Sequence, residues 1–295
     1  MGGGGAVPVG VPTNRRQIEM HPNKQPLLFF SHSAFLTFYL LAKMEAYVTS
    51  QTEHGITTIE FFHPQSNSLP SKILDALAQE IHYAGTHDTK VIILKSAGEG
   101  AFCAGASFDE LAAIDNAAKG LKFFMGFANV INAMRKCSKF IIGRIHGKCV
   151  GGGVGIAAAV DYAIAVKTAE VKLSELAVGI GPFVVGPALE RKIGTSAFSQ
   201  LAIDATLWRN SEWAKKKGLF AEVHESVGNM DDSIDRLANT LVHSSPEAMA
   251  EMKKIFWRGT EDWDALLKEK AAISGRLVLS DFTKNALAKF KMKAT

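Results

Sequence analysis

Cysteine is scarce in this chain, and the spacing of the few that occur excludes several classes of protein. Three cysteines are present, Cys103, Cys137 and Cys149, and no two of them form a CxxC pair. An odd, unpaired set argues against a disulfide framework and suits a reducing compartment. The sequence also lacks an HExxH motif and any paired Cys/His spacing, so we expect no metal site.

A strong charge of one sign is also missing from most of the chain. The formal net charge is +4, but residues 1–43 carry +3 of it, which leaves the remaining residues close to neutral. A near-neutral body lacks the electrostatic footprint that nucleic-acid binding requires. We therefore expect no nucleic-acid partner. GxSxG and Walker A patterns are absent as well. The sequence therefore shows neither the nucleophile motif of α/β-hydrolases nor the phosphate-binding loop of P-loop nucleotide-binding proteins.

Long apolar runs are limited to residues 27–42, LLFFSHSAFLTFYLLA. This run is shorter than the roughly 20 residues of a membrane-spanning helix, and we expect no stable membrane association. Residues 1–43 have three interpretations: an export or anchor signal, an extension of unknown use, or upstream sequence translated from a wrongly chosen start. We favour the third, with Met44 as the true first residue, because an ordered pattern begins directly after it.

From Met44 onward the pattern predicts an α/β fold. Two β-rich runs, Tyr47–Glu53 and Ile56–Phe62, are separated by His54-Gly55, which predicts a hairpin. Short apolar strands then alternate with helical patterns as far as residue 173. Beyond Gly181 the pattern becomes mostly helical, with a first helix expected at Pro182–Ile193 and a short strand at Leu219–Val223.

This change of pattern suggests three parts. They are an N-terminal extension at 1–43, a core at 44–225, and a helical region at 226–295 that serves as a lid or an oligomer contact.

Two small-residue turns follow buried strands and carry the strongest functional signal. The first turn, Ala101–Ser107, comes after Val91–Leu94, and the second, His146–Gly153, comes directly after Phe140–Ile145. Turns of this kind open helices and leave backbone N–H groups unpaired and pointing outward. Two such turns that converge would form an oxyanion hole, which stabilises negative charge developing on a carbonyl oxygen.

The glycines of the second turn allow two other interpretations. Gly153-x-Gly155-x-x-Ala158 fits the dinucleotide-binding fingerprint, and a glutamate lies about 20 residues further on. However, five residues separate the strand from the first glycine, whereas that fingerprint normally follows its strand directly. The glycines could also serve only to let a helix pack closely.

Glu175 is the most conspicuous ionisable residue, because it lies among Leu, Ala, Val and Gly residues. If it lines a cavity, burial would raise its pKa towards neutrality, as a general base requires. The alternative is an exposed loop glutamate. We interpret His63 and His146 as turn residues, and Asp161 as a hydrogen-bonding residue at the end of an element.

Two stretches of the sequence resemble the crotonase superfamily, the enoyl-CoA hydratase/isomerase group. AFCAGASFDEL at 101–111 is similar to the family's first oxyanion segment, and IHGKCVGGGVGIAAAVDYAIA at 145–165 is similar to the second. The resemblance extends from about Tyr47 to Lys291. It implies a spiral of ββα units with a helical C-terminal region, an acyl-CoA thioester substrate, and assembly as a homotrimer or hexamer. It implies no cofactor beyond the coenzyme A of the substrate. We expect a cytoplasmic location unless residues 1–43 are a genuine export or anchor signal, because free CoA substrates make export chemically implausible.

The resemblance also assigns residues to roles. It implies that the backbone N–H groups of Ala106 and Gly152 are the two oxyanion donors and that Glu175 is the catalytic base. The substrate-binding residues that we expect beside them are Ala104, Gly105, Gly151, Gly153 and Phe183.

Two departures from the family pattern affect the expected reaction. Hydratases of this family carry two glutamates, and Gly155 stands at the position of the first, while Glu175 matches the second. Ser107 stands where the first segment usually has Asp. A single carboxylate suits Δ3-Δ2-enoyl-CoA isomerisation, with Glu175 as the base that shuttles the proton. The alternatives are an enoyl-CoA hydratase and a non-catalytic acyl-CoA binder.

Overall fold

A six-stranded sheet and a three-stranded sheet organise the part of the chain that the structure describes. The computed structural model describes Met1 and residues 45–294, with side chains as far as residue 289. The predictions for the segment 1–43 therefore concern residues that lie outside the described part of the chain, except for Met1. The nine strands are β1 Tyr47–Glu53, β2 Ile56–Phe62, β3 Val91–Ser96, β4 Phe140–Ile145, β5 Cys149–Val150, β6 Tyr162–Val166, β7 Glu170–Lys172, β8 Arg209–Asn210 and β9 Glu222–His224.

The large sheet has the strand order β1-β2-β3-β4-β6-β9, and only its first pair is antiparallel. The predicted hairpin is confirmed with the same strand bounds. His54 and Gly55 have φ values of 51° and 84°, the left-handed backbone that a two-residue hairpin turn requires. The small sheet has the order β5-β7-β8, with β5 parallel to β7.

Helices connect and cover these strands. They are α1 Ser71–Thr86, α2 Phe108–Ala112, α3 Ala117–Lys136, α4 Gly152–Ala159, α5 Gly186–Ile203, α6 Ser211–Lys216, α7 Val227–Val242, α8 Pro246–Phe256, α9 Trp263–Leu277 and α10 Asp281–Ala294, with a short 3-10 turn at Leu176–Val178. The predicted α/β class with a helical C-terminal region is confirmed. Among the described residues, no helix has the length and apolar character needed to cross a membrane.

The helical region after residue 225 is joined to the sheet rather than set apart from it. Helix α7 packs on β3, β4, β6 and β9. Arg144 of β4 donates two hydrogen bonds to Asp231 of α7, at 2.6 and 2.9 Å. Helix α10 contacts α2 and the 3-10 turn. These contacts cross the predicted boundary at 225/226, which stays a prediction from the sequence pattern.

Two sequence-based expectations differ from the observed elements. We expected a helix from Pro182, but α5 begins at Gly186, and the residues before it are irregular. We also expected a strand at Leu219–Val223, whereas β9 begins at Glu222. Leu219 and Phe220 are fully buried in the core, so their apolar character reflects packing of the turn before the strand.

A buried ion pair anchors helix α8 to the edge of the core. Lys253 is 2% exposed and donates to the carbonyl of Lys139 at 2.6 Å and to Asp161 Oδ2 at 2.8 Å. Asp161 also accepts from the backbone N–H of Ile141 and from the indole N–H of Trp257. The prediction that Asp161 is a hydrogen-bonding residue at the end of an element is confirmed.

Replacing this lysine should destabilise the fold strongly. We expect Lys253→Met to lower the free energy of unfolding by about 3 kcal/mol, because it leaves the buried Asp161 carboxylate without its cation. Lys254→Met is the matched control, since Lys254 pairs with Glu251 on the exposed face of the same helix. That variant should change stability by less than about 0.5 kcal/mol. Urea unfolding of both variants checks the difference, and equal effects would contradict the assigned role of the buried pair.

Candidate active site

One cavity brings the two predicted turns and Glu175 together. Its volume is about 600 Å³, including the open mouth. The first turn contributes Ala104, Gly105 and Ala106, the second contributes residues 150–152, and the segment 174–185 forms much of the remaining wall. The three regions that the sequence singled out separately thus share one space.

The first turn presents the N–H group of Ala106. The backbone N–H of Leu69 donates to the Gly105 carbonyl at 2.7 Å, and Ser107 N–H donates to the Leu69 carbonyl at 3.4 Å. These two bonds hold the residues on either side of Ala106 and leave its own N–H without an acceptor within the described chain. Gly105 has φ 86°, and a Cβ at this position would lie 2.7 Å from the Val150 carbonyl oxygen. Only glycine fits there.

The second turn presents the N–H group of Gly152. Gly152 is the first residue of α4, so its N–H has no partner within the helix. Within the described residues it donates to no other acceptor either. The turn before it is held by the bond from Gly151 N–H to the Lys172 carbonyl at 2.9 Å. A Cβ on Gly152 would lie 2.8 Å from Phe127 Cδ1, so the aromatic ring packs directly on this backbone.

Backbone hydrogen bonds join the two turns into one unit. Cys103 N–H donates to the Lys148 carbonyl at 3.2 Å, and Val150 N–H donates to the Cys103 carbonyl at 2.9 Å. A Cβ on Gly105 would lie 3.4 Å from the nitrogen of Gly152, which shows how closely the turns approach. Two unpaired donors that face one cavity can bind the oxygen of a polarised carbonyl.

Glu175 lies directly beside the second donor. A Cβ on Gly151 would lie 2.8 Å from Glu175 Oε1, so the carboxylate rests against the turn backbone. Oε2 is buried and has no hydrogen-bond partner in the described part of the chain. Burial raises the pKa of Glu175 to about 7, and a hydrogen bond from its own backbone N–H opposes that rise. A carboxyl group with this pKa can accept and return a proton near neutral pH.

The rest of the cavity wall is mostly apolar. Phe183 lines the cavity as the resemblance implied, whereas Gly153 lies outside the lining and packs against Cys103. Phe124 and Phe127 are both core residues and cavity residues. Sequence reasoning did not assign these further lining residues: Phe108, Leu111, Ser174, Val178, Ile180, Val184, Val185 and Ser274.

The other ionisable residues considered from sequence lie outside this cavity. His146 is buried, and burial together with the nearby charge of Arg144 lowers its pKa to about 4. It is therefore neutral at physiological pH. The His63 ring contacts the hydroxyl of Ser68 at 3.0 Å within its own turn.

The position that matches the family's first glutamate has no room for a side chain. A Cβ on Gly155 would lie 2.6 Å from the Cβ of Val185. Val185 itself lines the cavity. Val185 thus occupies the space that a side chain at position 155 would need, and Glu175 is the one carboxylate among the described cavity residues.

The dinucleotide interpretation does not match the observed arrangement. Helix α4 follows β5, a two-residue strand of the small sheet, rather than a strand of the large parallel sheet. A dinucleotide-binding turn joins a strand of the main parallel sheet directly to its helix.

Comparison with known proteins agrees with the resemblance in the sequence. The family model described as enoyl-CoA hydratase/isomerase matches residues 51–291. A short-chain-enoyl-CoA hydratase of Clostridium acetobutylicum is 30% identical, over 76% of this chain and 85% of its own length. A peroxisomal Δ(3,5)-Δ(2,4)-dienoyl-CoA isomerase of Arabidopsis thaliana is 27% identical, over 70% of this chain and 78% of its own length.

The fold also matches solved structures. An enoyl-CoA hydratase from Bacillus halodurans superimposes with a TM-score of 0.76 at 21% identity, covering 82% of this chain and 99% of that chain. The predicted crotonase-like fold is therefore confirmed. With a family model that matches most of its length and a fold shared with such structures, this chain belongs to the enoyl-CoA hydratase/isomerase family.

Proposed function

We propose that this protein is a Δ3-Δ2-enoyl-CoA isomerase in which Glu175 is the base that shuttles the proton. The observation that carries the proposal is a single carboxylate, unpaired at Oε2, beside two unpaired backbone donors in an apolar cavity. The thioester carbonyl would accept hydrogen bonds from the N–H groups of Ala106 and Gly152. The remaining turn residues and Phe183 would position the substrate.

The reaction needs no group beyond these. The Glu175 carboxylate removes a proton from C2, and the electron pair of that C–H bond moves into the C1–C2 bond as an enolate forms. The two N–H groups stabilise the negative charge on the thioester oxygen. The Glu175 carboxyl group then returns the proton to C4, and the double bond shifts from C3–C4 to C2–C3. The base is regenerated, and no water is consumed.

The contact between Gly155 and Val185 supports isomerisation over hydration. Hydration requires a water molecule that is positioned and deprotonated for attack at C3. Val185 closes the space where a second carboxylate would stand, so Glu175 would have to perform that task alone. Loss of one of two cooperating acid–base groups costs on the order of 10² to 10⁴ in rate.

Enoyl-CoA hydration is the second candidate, since the relative from Clostridium acetobutylicum carries that name. A paired assay on the purified protein separates the two reactions. One arm measures loss of crotonyl-CoA, and the other measures conversion of 3-hexenoyl-CoA to its conjugated isomer. We expect rapid isomerisation with hydration at least about 10²-fold slower. Rapid hydration with no isomerisation would overturn the proposal, and binding of both esters without turnover would indicate a non-catalytic binder.

The pH dependence of isomerisation provides an independent prediction. Because the base must be ionised and its pKa is raised to about 7, kcat/KM should rise with pH and level off above that value. Below about pH 6 it should fall tenfold per pH unit. Initial rates between about pH 5 and 9 check this, with circular dichroism to show that the protein stays folded. A profile that is flat down to about pH 5 would contradict the assignment of Glu175.

A further inference from the structure

Two hydroxyl groups in the cavity wall, those of Ser174 and Ser274, make no hydrogen bond within the described chain, and Ser274 is the more deeply buried of the two. Ser274 of helix α9 lines the cavity, and the residue is only 1% exposed. Its hydroxyl makes no hydrogen bond within the described chain, yet its oxygen is not among the fully enclosed polar atoms. The hydroxyl is therefore open to the cavity and to whatever fills it.

Helix α9 does not satisfy this hydroxyl internally, although a helix can satisfy a serine by back-bonding to a carbonyl group three or four residues earlier. Ser199, inside α5, does so by donating to the carbonyl group of Ser196, three residues earlier in the chain, at 2.9 Å. Such back-bonding is one of the ways in which a serine hydroxyl inside a helix is satisfied. Ser274 forms no bond of this kind, so its donor is free for another partner.

Close helix packing fixes where this hydroxyl lies. Gly275 and Gly120 let α9 and α3 approach until a Cβ on Gly275 would lie 2.6 Å from the nitrogen of Leu121. Ser274 adjoins this contact on α9, and Phe124 lies one helical turn beyond Gly120 on α3. The hydroxyl is thus placed rigidly in a wall that is mostly apolar.

An unused hydroxyl in such a wall is unfavourable when a hydrocarbon covers it. Burying a hydroxyl without a partner costs about 1–3 kcal/mol. A ligand group that accepts or donates a hydrogen bond at this point removes the cost. A site built to bond a hydroxyl or carbonyl also discriminates strongly against the analogue that lacks it.

We propose that the acyl group of the substrate carries an oxygen function, a hydroxyl or a carbonyl, that hydrogen-bonds to Ser274. This inference rests on the proposed function, because it takes the cavity as the acyl-CoA site. It adds a class of substrate: oxygenated acyl-CoA esters rather than plain hydrocarbon chains.

Binding of unreactive esters tests this inference separately from catalysis. Calorimetry would compare saturated acyl-CoA esters of about four to eight carbons with their terminally hydroxylated counterparts. We expect at least one hydroxylated ester to bind about tenfold more tightly than its parent. Ser274→Ala should abolish that preference by weakening the hydroxylated ester alone.

Ser96→Ala is the matched control. Ser96 is also buried and also lacks a hydrogen-bond partner in the described chain, but it lies at the end of β3, outside this cavity. It should leave the preference unchanged. Equal affinity for both ester series in the wild type, or a preference that survives Ser274→Ala, would overturn the inference and leave the isomerase proposal standing. Failure of every ester to bind would overturn both.

Discussion

Glu175→Gln should abolish isomerisation, lowering kcat by at least about 10³-fold. A general base contributes on the order of 10² to 10⁴ in rate, and here one group both removes and returns the proton. Glutamine has nearly the same shape but accepts no proton at neutral pH. Because the backbone donors of Ala106 and Gly152 remain in place, the affinity for an unreactive acyl-CoA ester should change by less than about threefold.

Stability provides a second readout that only a buried, ionisable Glu175 would produce. Its pKa in the folded protein is about 7, above its ordinary value of 4.5, so the folded state favours the protonated carboxyl group. The wild type therefore loses stability as pH rises from about 4.5 to 7, by about 3 kcal/mol at most. Glu175→Gln should be more stable than the wild type at pH 8, and this advantage should vanish near pH 4.

Denaturant unfolding at both pH values, together with steady-state rates, checks these expectations. Glu170→Gln serves as the control. Glu170 is on β7, forms an ion pair with Lys148 and does not line the cavity. This variant should keep its turnover within about twofold of the wild type. Isomerase activity above a tenth of the wild-type rate in Glu175→Gln would show that another group is the base.

The site features that could be predicted from sequence are those whose chemistry is local. The two small-residue turns each come shortly after a β-rich strand, and a carboxylate among apolar residues stands out without any knowledge of the fold. The hairpin bounds were predictable because His54-Gly55 can adopt the left-handed backbone that joins two strands in a two-residue turn. Each of these signals lies within a few consecutive residues.

The features that could not be predicted depend on contacts between distant segments. Ser274 lies in the cavity because Gly120 and Gly275 let two helices approach, and neither glycine signals that contact alone. In the sequence, Val185 falls within the helix that we expected from Pro182. In the structure the chain before Gly186 is irregular, and this places Val185 against Gly155. Tertiary packing overrode the local pattern there.

Gly105→Ala should reduce kcat/KM by about 10² to 10³-fold, although the variant leaves Glu175 untouched. The added Cβ would lie 2.7 Å from the carbonyl oxygen of Val150, a backbone atom that cannot rotate away. The turn must therefore shift, and the N–H of Ala106 shifts with it. Loss of one oxyanion donor typically costs this much in rate. The loss should fall mainly on kcat, because the donor acts on charge that develops during the reaction.

Backbone strain alone should not produce this loss, and Gly98→Ala isolates that contribution. Gly98 has φ 83°, nearly the same as the 86° of Gly105, but the nearest atom to its added Cβ would be Phe62 Cε2 at 3.9 Å. Both variants should lose about 1 kcal/mol of stability from the left-handed backbone. Only Gly105→Ala should lose activity, since only there does the new methyl group displace the turn that presents the oxyanion donor. Equal activity in the two variants would mean that the Ala106 N–H does not take part in the reaction.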